Sequence, residues 1–403
     1  MSLPFALARS LDLTDPATFA AHDPRDIWPE IRQREPVYWH EARDGRPGFW
    51  VVTRHADVLA CYSDAAGLAS GRGTVLEVLL QGDDPAGGKM LAVTDRPRHR
   101  SLRRLMLRAF SPRVLGHVAE RIASRTSRLI ASATALGEFD FATEVAEQLP
   151  MGIICDLLSV PEQDRKQLLE WSKSALAAEG PDDGALDSVS ARNELVLYFM
   201  DLALDRRAAP GDDVVSMLAT SEVDGARLTP EEIALNCYSL ILGGDESSRM
   251  AATAAVKALA ENPAQWRALR DGETGTETAV EEVLRWSTPG MHFARTATKP
   301  LTIGGSSVRT GDIVTLWNTS ANDDEEVFAS PRSFDLARTP NKHVALGHGS
   351  HFCVGAFLGR ASLRSLLDSL TRSVRHIEVH GTPERVHSSF LFGHHSLRVS
   401  FEG

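Results

Sequence analysis

A cysteine delivered by a glycine-rich loop is the first candidate for chemistry in this sequence. In HVALGHGSHFCVGAFLGR, residues 343 to 360, turn-forming glycines lead to Cys353 just where a helical pattern begins with Gly355, Ala356 and Phe357. A sulfur at a helix N-terminus meets free backbone N–H groups and the positive end of the helix dipole, which stabilise a thiolate and tune any metal it binds. Three roles suit such a residue. A lone cysteine is most often a small buried hydrophobe. His343, His348, His351 and Cys353 have the chemistry of zinc ligands, in a spacing that matches no common zinc pattern. A cysteine–histidine nucleophile is the third role, although no oxyanion-stabilising arrangement accompanies it. The loop alone leaves all three open.

The second candidate is LILGGDESSRM, residues 240 to 250, in an otherwise apolar helical stretch. Gly243 and Gly244 together cost about 2 kcal/mol relative to alanine in a helix interior, so something must approach the backbone there. Close packing of a second helix, with Asp245, Glu246, Ser247 and Ser248 facing water, is the commoner use of helical glycine. The alternative is a space for a ligand beside an acid and an alcohol, and it needs a partner elsewhere in the chain.

A third feature is RPRHRSLRRLMLR, residues 96 to 108, with six arginines on a protein whose net charge is −11. Solvated helix face, anion site and docking patch for an acidic partner are its three readings. The acidic balance argues against general nucleic-acid or anionic-membrane binding. Residues 1 to 19 carry neither a signal-peptide core nor the roughly 20 apolar residues of a membrane span, which leads us to expect a cytoplasmic protein. Cys61, Cys155, Cys237 and Cys353 are too scattered for a disulfide framework.

The elements that must position these residues are mostly helical. Helical periodicity runs through 97 to 109, 112 to 134, 142 to 158, 161 to 177, 189 to 208, 230 to 262, 275 to 287 and 354 to 374. Short strands with Gly, Pro or Asp turns fill 36 to 53 and 301 to 317. The chain thus reads as mainly α with small β-sheets. With no linker or repeat, it reads as one domain over 1 to 403: a β-rich portion at about 30 to 60, a helical core at 90 to 375 and a C-terminal β portion at about 376 to 403. The stretch from 230 to 262 has a capping Thr229, Pro230 at the first helical position and acidic Glu231 and Glu232 in the first turn. Roughly thirty-three residues predict a helix about 50 Å long that crosses the whole molecule.

Together these motifs resemble the cytochrome P-450 superfamily, in particular its soluble bacterial members, over nearly the whole chain. The family's cysteine signature is matched by Gly349, His351, Cys353 and Gly355, with Leu346 where phenylalanine is usual. EEVLRW supplies its Glu-x-x-Arg as Glu282 and Arg285, and FDLAR supplies Arg338 as the third member of a structural network. TDRPRHRSLRR places His99 and Arg103, and HFARTAT places Arg295, at positions that contact haem propionates, as does His351. The GGDES run aligns with the family's Gly-Gly-x-acid-Thr signature.

The resemblance implies a P-450 fold with the long central helix over haem b and the thiolate loop on the opposite face. Cys353 is then the iron ligand. Gly243 and Gly244 make room for dioxygen and water, and Glu246 and Ser247 are a proton relay in which serine replaces threonine. Serine keeps the hydroxyl but loses the methyl that stiffens the side chain. The implied activity is hydroxylation or epoxidation of a small organic molecule using O2, in a tailoring step of secondary metabolism. Electrons pass from NAD(P)H through ferredoxin reductase and ferredoxin, and outward-facing Arg98, Arg100, Arg104 and Arg108 offer a cationic surface to that acidic partner. An atypical haem-thiolate role, peroxide-driven, redox-neutral or of non-catalytic recruitment, is the alternative. By position, the substrate, free or carrier-bound, meets the segments 71 to 90 and 177 to 189 together with Ser239, Leu242, Met291, His292, Phe390 and Leu391. That pocket is largely apolar, with His292 as a polar handle.

Overall fold

The computed structural model describes residues 2–43, 45–109, 112–176 and 184–403. Its axis is the helix Pro230–Glu261, 32 residues long and so about 48 Å from end to end. Thr229 and Glu232 form a reciprocal capping box: the Thr229 hydroxyl accepts from the Glu232 amide at 3.1 Å, and the Glu232 carboxylate accepts from the Thr229 amide at 2.8 Å. The helix is apolar nearly all round because it runs between two cores. Its first half, through Ile233, Ala234, Cys237 and Ile241, packs with Leu195, Phe199 and Leu202 of the helix Gly184–Ala208. Its second half, through Ala251, Ala255, Val256 and Leu259, packs with Val280 and Leu284 of Thr276–Ser287 and with Leu366 and Leu370 of Ala356–Ser373.

The largest sheet has five strands in the order Val37–His40, Phe49–Val52, Ile313–Trp317, His292–Ala297 and Leu68–Ala69. Phe49–Val52 and Ile313–Trp317 run parallel, with Trp50 opposite Val314, whereas the other neighbours are antiparallel. At the C-terminus, His376–Val379 and Glu138–Asp140 flank Arg398–Glu402. The mainly α architecture with small sheets is thus as expected.

Local differences have local causes. The pattern read as one helix over 142 to 158 is a widened turn, Ala142–Ala146, followed by the helix Gln148–Leu157. The portion assigned to strands from about residue 30 is helical at its start, in Pro24–Arg34. Asp15 and Asp23 begin two short N-terminal helices by accepting from the amides of Ala17 and Arg25, each at 2.9 Å, with Pro16 and Pro24 next in sequence.

Candidate functional site

The cysteine loop is held by its own backbone. Gly347 and Gly349 take φ of 70° and 69°, and a Cβ on Gly349 would lie 2.5 Å from the carbonyl oxygen of Tyr62, so glycine is required there for both conformation and space. The Cys353 amide donates to the Leu346 carbonyl at 2.9 Å, folding the sulfur back over the start of Ala356–Ser373. Burial raises the Cys353 thiol above its ordinary range, against the Gly355 amide and then the charges of Arg103 and Arg360. The remaining cysteines are buried in apolar surroundings, and Cys61 and Cys155 are pushed up to about 12 by that burial. They are inert core residues. The zinc alternative fails on placement. His343 is taken by Glu281 at 3.1 Å, His348 is exposed, and among the described residues no three His, Cys, Asp or Glu side chains gather to hold a metal ion.

Four bases converge on this loop from three elements. His99 and Arg103 stand on the helix Arg98–Ala109, Arg295 on His292–Ala297 and His351 on the turn Gly349–His351. The rings of His99 and His351 face each other at 4.1 Å. Arg103 donates to the Phe352 carbonyl at 2.6 Å, whereas Arg295 lies over the Tyr62 ring and donates to the Ala294 carbonyl at 2.7 Å. Arg295 is only 5% exposed, His99 Nε2 is buried without a hydrogen-bond partner, and none of the four has an ion pair within the described residues. Burial, then the nearby Arg103, depresses His99 to about 4. Burial, then Arg295, depresses His351 to about 3. Burial thus holds the two imidazoles neutral, while Arg295 remains a buried cation without an ion pair, which is costly, so the cluster fits a ligand with carboxylates of its own.

Along the central helix the two glycines part company. A Cβ on Gly243 would meet nothing within 4 Å, so this position borders open space. One on Gly244 would lie 3.0 Å from Ile154 Cδ1, so Gly244 serves close packing against Gln148–Leu157 and not, as expected, room for a ligand. The Ser247 hydroxyl donates to the Gly243 carbonyl at 2.9 Å. Glu246 forms an ion pair with Arg249, one turn on, which the sequence reading left out of the relay. Asp245, 3% exposed, accepts from Ser172 at 3.1 Å. Burial, then the neighbouring Glu246, pushes Asp245 up to about 7.

Glu282, Arg285 and Arg338 meet in one buried network. Arg285 grips the Glu282 carboxylate with two hydrogen bonds of 2.8 Å, and Arg338 and Asn341 each donate to it at 3.0 Å. Glu282 is fully buried and its partners satisfy both oxygens, the condition for a buried charge to persist.

On the substrate side, Met291 donates from its amide to the Phe390 carbonyl at 2.9 Å, and Gly290 bridges Leu391, so these two segments lie together. Ser239, Leu242, Phe390 and Leu391 are partly exposed. Met291 and His292 depart from expectation: they are 0% and 1% exposed, and His292 is enclosed by Trp317 and Phe390 with both ring nitrogens unpartnered. It is a residue of the aromatic core and not a polar handle in an open pocket. The segment at 177 to 183 lies outside the described residues. Arg98 also departs from its expected docking role, being tied to Glu232 and Asp224, whereas Arg100, Arg104 and Arg108 are exposed. Sequence reasoning missed Asp245–Ser172, Arg249, Asn341 and a Glu281–Arg360 pair. Only Arg249 carried a local signal, three residues from Glu246 on one helical face.

Comparison with known proteins agrees with this geometry. A family model for cytochrome P-450 matches residues 275–399. The chain is 42% identical to cytochrome P-450 NovI of Streptomyces niveus, covering 98% of this chain and 97% of that protein. It is 33% identical to a steroid C26-monooxygenase of Mycolicibacterium smegmatis, over 93% and 90% of the two chains. Its fold is similar to the crystal structure of P-450 OxyD, described as involved in the biosynthesis of vancomycin-type antibiotics, with a TM-score of 0.89 and 32% identity over 98% and 100% of the chains. No helix among the described residues is long and apolar enough to cross a membrane.

Proposed function

Because this chain belongs to the cytochrome P-450 family of monooxygenases, we propose that it binds haem b through Cys353 and oxygenates a small organic substrate with O2. The observation that carries this reading is the group of four basic residues at the cysteine loop, His99 and Arg295 buried and Arg103 and His351 half-buried, with no ion-pair partner among the described residues. Arginine forks and histidine N–H donors suit the two propionates of haem b. Haem held by a thiolate supplies the activation of dioxygen.

The chain's own residues orient water and hold protons. Gly243 leaves space beside the central helix, and Ser247, whose hydrogen is given to the Gly243 carbonyl, offers oxygen lone pairs to a water there. Glu246 is the acid that passes on the next proton, and because the ion pair with Arg249 favours its ionised form, it must turn away from Arg249 to take that proton up. Electrons come from NAD(P)H through a ferredoxin reductase and a ferredoxin, whose acidic surface the exposed Arg100, Arg104 and Arg108 attract. A cytoplasmic setting belongs to the same reading. Similarity to NovI and to OxyD supports a tailoring step in bacterial secondary metabolism, on a substrate that is free or carried on a protein and that meets Ser239, Leu242, Phe390 and Leu391.

The Glu246–Arg249 pair favours one second reading, an atypical haem-thiolate protein that is peroxide-driven, redox-neutral or recruiting. The reduced carbon monoxide spectrum of the haem-loaded protein tests the first claim. The red-shifted band of a thiolate complex is expected, and its replacement by the band of imidazole-ligated haem would overturn Cys353 ligation. Product formed with ferredoxin and O2, compared with product formed from hydrogen peroxide alone, then separates the two readings.

A further inference from the structure

Glu281 precedes the buried Glu282 on the helix Thr276–Ser287 and turns to the cysteine loop. Arg360 grips its carboxylate with one edge of the guanidinium, Nε to Oε1 at 2.6 Å and Nη2 to Oε2 at 2.8 Å. His343 Nε2 donates to the same Oε2 at 3.1 Å, while His343 Nδ1 accepts from the Ala345 amide at 3.3 Å, which fixes the ring. His343 lies at the entry to the loop and Arg360 in the second turn of the helix that leaves it, so a single carboxylate fastens both flanks of the segment containing Cys353.

We propose that Glu281 is a positioning residue, a clamp that through His343 and Arg360 fixes where the Cys353 sulfur rests. This rests on Cys353 being the haem ligand. The Cys353–Leu346 hydrogen bond restrains the interior of the loop and the Val344 amide donates to Asn322 at its entry, whereas the Glu281 carboxylate ties the entry to the helix that leaves the loop. Glu282 cannot serve, since its oxygens are occupied by Arg285, Arg338, Asn341 and the Asp335 amide, all upstream of the loop. The Glu281 and Arg360 side chains are 30% and 35% exposed, but the clamp has more than a single surface contact: it is bidentate, it has a second donor, and the His343 side chain is 3% exposed. Although burial pushes Glu281 up, the hydrogen bonds from Arg360 and His343 outweigh it and hold the acid at about 2. The clamp therefore stays charged throughout the range in which the protein is handled.

The test uses the haem-loaded protein and the reduced carbon monoxide spectrum, which reports the thiolate separately from turnover. Glu281→Gln is expected to convert from the thiolate-type to the thiol-type complex about tenfold faster than wild type in mild urea, the size of effect seen when a group behind a metal ligand is removed. The global urea midpoint is read alongside by circular dichroism. Arg360→Lys, which keeps the charge and loses the fork, is expected to fall between, and Glu281→Asp to restore part of the loss. Should Glu281→Gln fail to fold, Arg360→Lys and His343→Gln carry the same comparison. Wild-type conversion rates in these variants would overturn the clamp, as would faster conversion fully matched by a lower global midpoint. A wild-type protein without the thiolate band would overturn the ligand assignment itself before any variant is compared.

Discussion

Ser247 spends its only hydrogen on the Gly243 carbonyl, so it accepts from a water more readily than it donates to one. Ser247→Ala removes that acceptor, and product formation with ferredoxin should fall by about 10²-fold or less while electrons are diverted to peroxide. Ser247→Thr adds the methyl that restricts rotation and should raise product per NAD(P)H. Measuring product and peroxide per nucleotide checks both, and unchanged coupling in Ser247→Ala would remove Ser247 from the relay. The backward bond from Ser247 to Gly243 spans four residues of one helix and was open to sequence reasoning. The Asp245–Ser172 bond was not, because no periodicity relates residues on two helices that meet only in the folded chain.

At the scale of elements, the two glycines of the central helix make opposite predictions. Gly243→Ala meets open space and gains helix propensity, so the protein should become more stable by about 0.5–1 kcal/mol. Gly244→Leu must displace Ile154 and should destabilise by about 1–3 kcal/mol. Urea unfolding of the two variants decides, and equal effects would contradict the division of roles. The central helix itself was legible from end to end, since its cap, its first-turn acids and its closing Asn-Pro are all local signals. By contrast, the strand Glu138–Asp140 has no pattern of its own and exists through its pairing with Arg398–Glu402. The short N-terminal helices were passed over although their Asp-Pro starts were in view, because six to eleven residues give periodicity little length in which to appear.

For the whole molecule, the cluster at the cysteine loop makes the cofactor-free state acid-sensitive. His99 at about 4 and His351 at about 3 lie below the 6.5 of a free imidazole, so protonation favours the unfolded chain. Their contribution is fully present above about pH 6.5 and is lost as the pH falls towards those values, on the order of 1 kcal/mol per group. Urea midpoints at pH 7.5 and pH 5 should therefore drop more in haem-free than in haem-loaded protein, where propionates balance the charge, and a parallel drop would argue against that balance. The residues of this cluster were legible one by one as motif positions, but their lack of an ion pair among the described residues emerged only in three dimensions. A different consequence follows from the parallel pairing of Phe49–Val52 with Ile313–Trp317. During synthesis the N-terminal hairpin waits with one edge open until most of the chain has left the ribosome, and the Cys353 loop emerges later still. Cofactor capture thus waits for the cysteine loop to emerge, and a fragment released before Ile313–Trp317 would carry an unpaired strand edge prone to aggregation.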